Sequence, residues 1–193
     1  MDTILGIIVG IGLSAACGFR VFVPLLIMNL AVLSGQLQLP ADFTWIGSTY
    51  ATVAFGSATV LEILGYYIPG VDHILDTIAT PAAVVAGTMI TASMAADLSP
   101  FFKWTLALIA GGGIAGLVQG STVAVRAKSM LTTAGVGNPV FSTLELIGAI
   151  ITAVLAILVP VVCVIAIVVL LFFIFRKMGK RIFGRPGNDS DCR

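Results

Sequence analysis

From Thr3 to Leu33 the chain carries a single charge, Arg20. That run is longer than the ~20 residues a helix needs to cross a bilayer. Gly18, Arg20 and Pro24 interrupt it, so the sequence predicts a crossing that is either tilted or broken inside the membrane. Similar apolar runs recur to residue 175. Charged residues make up 10% of the chain and hydrophobic ones 59%, with a mean hydropathy of +1.12. A soluble domain carries about 25% charge, so the class expected is an all-α, polytopic helical membrane protein.

The further runs follow in order. Thr49–Ile68 is one crossing, ended by Pro69-Gly70, and about Asp72–Ala96 is the next, with Pro81 inside it to kink it or mark its start. After a turn at Asp97–Pro100 comes Phe101 to about Arg126. Polar residues Ala127–Asn138 lead to a run from Pro139 to about Leu158. Pro160 separates that run from Val161–Phe175. The last two runs are either two crossings joined by a very tight turn or one long kinked helix; two are preferred, which gives about six, with five as the alternative. Trp45 and Tyr50 sit where an interfacial aromatic belt is expected.

Basic residues set the orientation. Six of the ten Lys and Arg lie between Arg176 and Arg193, so this basic tail is expected in the cytoplasm, with its end disordered from Gly187. Six crossings put the N-terminus there too, in a bacterial inner membrane. No basic residue precedes Arg20, so the first run lacks the positive start of a cleaved signal peptide and is expected to stay. Cys17, Cys163 and Cys192 have neither disulfide nor metal spacing and are expected to be inert.

The two halves of the chain resemble each other. Gly6, Gly10, Ser14 and Gly18 form a ladder of small residues followed by Arg20; Gly112, Gly116, Gly120 and Ala124 form another followed by Arg126, at a constant offset of 106. Thr59–Gly65 (TVLEILG) matches Ser142–Gly148 (STLELIG), each with one carboxylate, Glu62 and Glu145. Residues 1–96 and 97–175 therefore read as two three-helix repeats of opposite orientation, with 176–193 as the tail. Inverted repeats are an architecture of many secondary transporters.

A charge near the bilayer centre costs roughly 2.5–3.5 kcal/mol on insertion scales. Arg20, Glu62, Arg126 and Glu145 therefore need partners, and two Arg–Glu pairs are the simplest solution. They are either structural pins or a substrate-binding or proton-coupling site at the repeat interface. Asp72, His73 and Asp76 form a second cluster. Asp72 is a candidate N-cap, and Asp72 and Asp76 share a helical face. Three ligands from one turn rarely close a metal site, so an entrance or proton relay is the functional reading. No dinucleotide loop, His-based metalloprotease pair or other soluble-enzyme motif is present.

Three segments carry a family resemblance: Gly12–Pro24 (GLSAACGFRVFVP), Ile68–Asp76 (IPGVDHILD) and Asn138–Glu145 (NPVFSTLE). Over about residues 4–172 the chain resembles a bacterial family of small membrane proteins catalogued as domain of unknown function 4126. The resemblance implies a multi-span membrane protein and no stated activity.

The functional expectation is a small inner-membrane transporter or permease, not an enzyme and without cofactor or metal, acting on an unknown small molecule or ion. Its other partners are lipid and a second copy packed through the glycine ladders; nucleic acid is not among them. The rivals are a membrane scaffold or assembly factor, and an intramembrane lipid-modifying enzyme using Asp72, Asp76 or Glu62 as acid or base.

Overall fold

A computed structural model describes residues 3–68, 71–95, 97–133 and 138–182. It contains eight α-helices and no strand among the described residues: α1 (Thr3–Cys17), α2 (Phe22–Leu33), α3 (Thr49–Tyr66), α4 (Val71–Met94), α5 (Pro100–Leu106), α6 (Gly113–Thr133), α7 (Asn138–Leu158) and α8 (Pro160–Ile182). A π-helical turn, Ala107–Gly112, joins α5 to α6. Three stretches, Ile74–Met94, Pro100–Lys128 and Pro139–Leu158, are long and apolar enough to cross a membrane, which points to a membrane protein.

The burial pattern agrees. Large apolar side chains face outward, among them Leu61, Phe101, Ile109 and Val168, while Arg20, Glu62, Arg126 and Glu145 are buried. Water favours the reverse arrangement; hydrocarbon favours this one. The interior is built from small residues, including Ala16, Ala83, Ala115, Ala153 and Ala156, which let helix backbones approach closely where no hydrophobic effect drives them together.

The first run is broken rather than tilted. α1 stops at Cys17, its end closed by Gly18 and Phe19 N–H groups donating to the Ala15 and Ala16 carbonyls, and α2 starts at Phe22. Pro24 falls in the first turn of α2, where its missing N–H has no intrahelical partner to lose. Pro81, by contrast, is carried within a continuous α4. Asp72 lies inside the first turn of α4 and is therefore not its N-cap. Ser48 caps α3, accepting from the Ala51 N–H at 3.1 Å. The fourth run is longer than the sequence indicates. α6 continues past Arg126 to Thr133, taking in residues assigned to a connector. Pro69-Gly70, residues 134–137 and the tail from residue 183, including Cys192, lie outside the described residues.

α7 and α8 fold back on each other. Cys163 Sγ donates to the Thr152 carbonyl at 3.5 Å; a continuous helix, rising about 1.5 Å per residue, would hold them about 16 Å apart. Further out, Leu170 lines the same cavity as Leu144, so the two helices run antiparallel from Val159.

The glycine ladders pack within the chain. Ladder residues of both halves pack on α4. A methyl on Gly6 would lie 2.6 Å from the Met94 carbonyl oxygen, and one on Gly112 2.5 Å from Thr88 Oγ1. Ser14 Oγ donates to the Gly87 carbonyl at 2.7 Å and meets Thr91 Oγ1 at 2.9 Å. Gly18 instead faces Ala115 and Val118 of α6. Gly120 alone of the ladder glycines has open space beside it.

Candidate functional site

The break between α1 and α2 leaves the first N–H groups of α2 without carbonyl partners, inside a region that excludes water. Such groups cost several kcal/mol each unless satisfied. Glu62, on the buried face of α3, satisfies two. Its Oε1 accepts from Val21 N–H at 2.8 Å and its Oε2 from Phe22 N–H at 3.1 Å. A carboxylate also suits the positive end of a helix dipole. Glu62 thus serves as the cap that Val21, with no side-chain acceptor, does not provide.

This corrects the expectation of two separate Arg–Glu pairs. Among the described residues no ion pair joins Glu62 to an arginine. Arg20 reaches across to α7, where its Nη2 donates to the Ser142 carbonyl at 3.0 Å and to Ser142 Oγ, with Glu145 Oε2 at 3.8 Å. Arg126 makes the closer contact with Glu145. Arg126 Nε donates to Glu145 Oε1 at 3.2 Å and its Nη2 to Glu145 Oε2, a bidentate contact. Its Nη1 donates to Asp76 Oδ1 at 2.6 Å. Asp76 therefore belongs to the buried cluster and not only to an entrance.

The two guanidiniums share a neighbour. The Arg20 and Arg126 carbons (Cζ) lie 3.9 and 4.2 Å from the centre of the Tyr66 ring. Cations gain from an aromatic face most where water is excluded, and Tyr66 is buried. The cluster thus draws Arg20 from the break, Glu62 and Tyr66 from α3, Asp76 from α4, Arg126 from α6, and Ser142 and Glu145 from α7. Sequence reasoning did not single out Tyr66 or Ser142. The signal was spacing: Tyr66 lies four residues after Glu62 and Ser142 three before Glu145, one turn away on the same helical face.

The guanidiniums differ in how fully they are used. Every nitrogen of Arg126 has a carboxylate partner, whereas Arg20 Nε and Nη1 are buried with none. Thr59 Oγ1, one turn before Glu62, completes the set of buried side-chain N and O atoms without a partner among the described residues.

Two cavities meet the cluster. A polar one of about 310 Å³ is lined by Asp72, Asp76, Thr77, Thr80 and Arg126. An apolar one of about 220 Å³, walled by Phe19, Val118, Phe141, Leu144 and Leu170, has Glu145 in its wall. Arg126 lines the first and its partner Glu145 the second, so their ion pair joins the walls of the two. Asp72 and Asp76 share the polar cavity as their spacing requires; the side chain of His73 lies outside the described residues. Cys17 and Cys163 are buried, as their apolar surroundings indicate.

No curated protein and no solved structure matches the chain. The family model described as Domain of unknown function (DUF4126) matches residues 7–180, and with nearly its whole length covered the chain belongs to that family.

Proposed function

We propose that the protein is a small inner-membrane transporter whose substrate passes the Arg20, Glu62, Arg126 and Glu145 cluster. One observation carries this reading: Arg126 lines the polar cavity of Asp72 and Asp76, and its ion-pair partner Glu145 lines a second cavity. A charge pair between two openings is the geometry of a gate. The crossings in this reading are α1 with α2, α3, α4, α5 with α6, α7 and α8. Residues 1–96 and 97–175 form inverted halves, both termini are cytoplasmic, and chemical conversion of the substrate is not part of the activity. The fold-back of α7 and α8 supports the even number. The halves differ in their first crossings, where Arg20 sits at a break and Arg126 in a continuous helix, and in their carboxylates, Glu62 capping a helix and Glu145 pairing with arginine.

The test is transport by the purified protein in liposomes, with currents on a solid-supported membrane recorded over a panel of inorganic ions, carboxylates and amino acids. Wild type gives a substrate-dependent signal. Asp76→Asn, which removes one of the charges facing Arg126 while keeping the side-chain shape, lowers it at least tenfold with insertion unchanged. Silence of folded wild type across the panel overturns the reading. Glu62 favours a second one, a scaffold with its charges as structural pins, because both of its oxygens are occupied by helix N–H groups. In that case every variant effect follows stability alone.

A further inference from the structure

We propose that the break between α1 and α2 is a binding site for a carboxylate, with Arg20 as its cationic ligand and Glu62 as a built-in occupant that leaves when it takes up a proton. The inference deepens the transport reading and rests on it for the use made of the site.

Three observations converge on the break. The Val21 and Phe22 N–H groups each hold a different oxygen of one carboxyl group, so the cradle has the bite of a free carboxylate. Arg20, the residue just before the cradle, is 1% exposed and has Nε and Nη1 unpartnered. Thr59 Oγ1 is likewise unpartnered, on the same face of α3 as Glu62. In a water-excluding interior, open donors of this kind are costly, and an incoming anion would satisfy those of Arg20. Arg126 offers no such vacancy, being bound to Glu145 and Asp76.

The exchange balances. A proton passes from water to the Glu62 carboxylate, which releases the two N–H groups. The ligand carboxylate then accepts from them and from Arg20. One anion and one proton enter together, so the charge of the cluster is unchanged. The groups around Glu62 that bear on this step are Cys17 of α1, Arg20, Tyr66 of α3, Asp76 of α4, Arg126 of α6 and Glu145 of α7.

The experiment is an acetate titration of the full chain in nanodiscs, read by saturation-transfer NMR against chloride at equal ionic strength, at about pH 6 and pH 8. A parallel titration uses laurate, to separate a small soluble acid from a fatty acid of the bilayer. Wild type binds acetate more tightly at the lower pH, up to tenfold per pH unit, because one proton accompanies each anion. Glu62→Gln keeps an acceptor for one N–H, removes the competing charge and makes binding independent of pH. Arg20→Gln weakens it at least tenfold. A response to laurate alone assigns the site to a fatty acid. The wild-type pH slope needs no variant to fold. No response to either acid in wild type and Glu62→Gln, or acetate affinity that rises with pH, overturns the proposal and leaves water to fill the open donors. Flux without carboxylate binding fails this site and leaves transport standing. Carboxylate binding without flux does the reverse.

Discussion

Arg126 holds two carboxylates, and its removal takes that cation from both, leaving Glu145 with Arg20 at 3.8 Å. Breaking a buried ion pair from one side costs about 3–5 kcal/mol, and Arg126→Met is expected to lose that much, measured by reversible unfolding in mixed detergent micelles. Tyr66 acts through its ring. Tyr66→Phe should leave stability nearly unchanged, whereas Tyr66→Leu should cost about 1–4 kcal/mol in the same assay, from two cation–π contacts of about 0.5–2 kcal/mol each. Equal effects of the two variants would put the Tyr66 hydroxyl, not its face, in charge. At this scale the sequence was informative about which residues mattered and less so about their partners. A charge in an apolar run announces burial. What it meets depends on where neighbouring helices end, and the break at Val21 drew Glu62 away from Arg20 because unsatisfied N–H groups had the stronger need.

For the helices, the apolar runs placed most elements to within a turn. The misses have local causes. The sequence around Arg126 and Lys128 is polar enough to read as a loop, yet α6 continues to Thr133. Pro81 breaks nothing, because a proline inside a packed helix costs one hydrogen bond that membrane helices can accommodate. The small-residue ladders were visible, but not what they pack on. Their contacts give a sharp contrast. Gly6→Ala and Gly18→Ala each drive a methyl to 2.6 Å from a backbone carbonyl oxygen, of Met94 and Ala115, and backbone cannot move aside as a flexible side chain can. Gly56→Ala and Gly120→Ala meet nothing within 4 Å. The first two should lose folded protein in size-exclusion profiles; the second two should match wild type or gain up to about 1 kcal/mol from helix propensity.

Over the whole molecule, polarity is turned inside out, and that much was legible from composition. Orientation is open to direct measurement with cysteine labelling. Cys17 and Cys163 are buried, so a membrane-impermeant maleimide has Cys192 as its native target. With six crossings, Cys192 reacts only after the cells are permeabilised, while Gln38→Cys, in the connector before α3, reacts in intact cells. Labelling of both positions in intact cells would require an even number of crossings between them.

The π-helical turn at Ala107–Gly112 also bears on how the chain tolerates a change in length. A π turn holds one residue more than the α-helical turn it replaces, so one residue removed there can be absorbed as ordinary helix. The helix on either side then keeps its register, whereas a deletion in an ordinary α-helical turn rotates one side against the other by about 100° at 3.6 residues per turn. One residue deleted between Gly113 and Val125 has no slack to use and swings Arg126 out of register with either the cluster or α4. A single-residue deletion scan, read by the yield of folded protein, should therefore show one permissive window in this crossing, at residues 107–110.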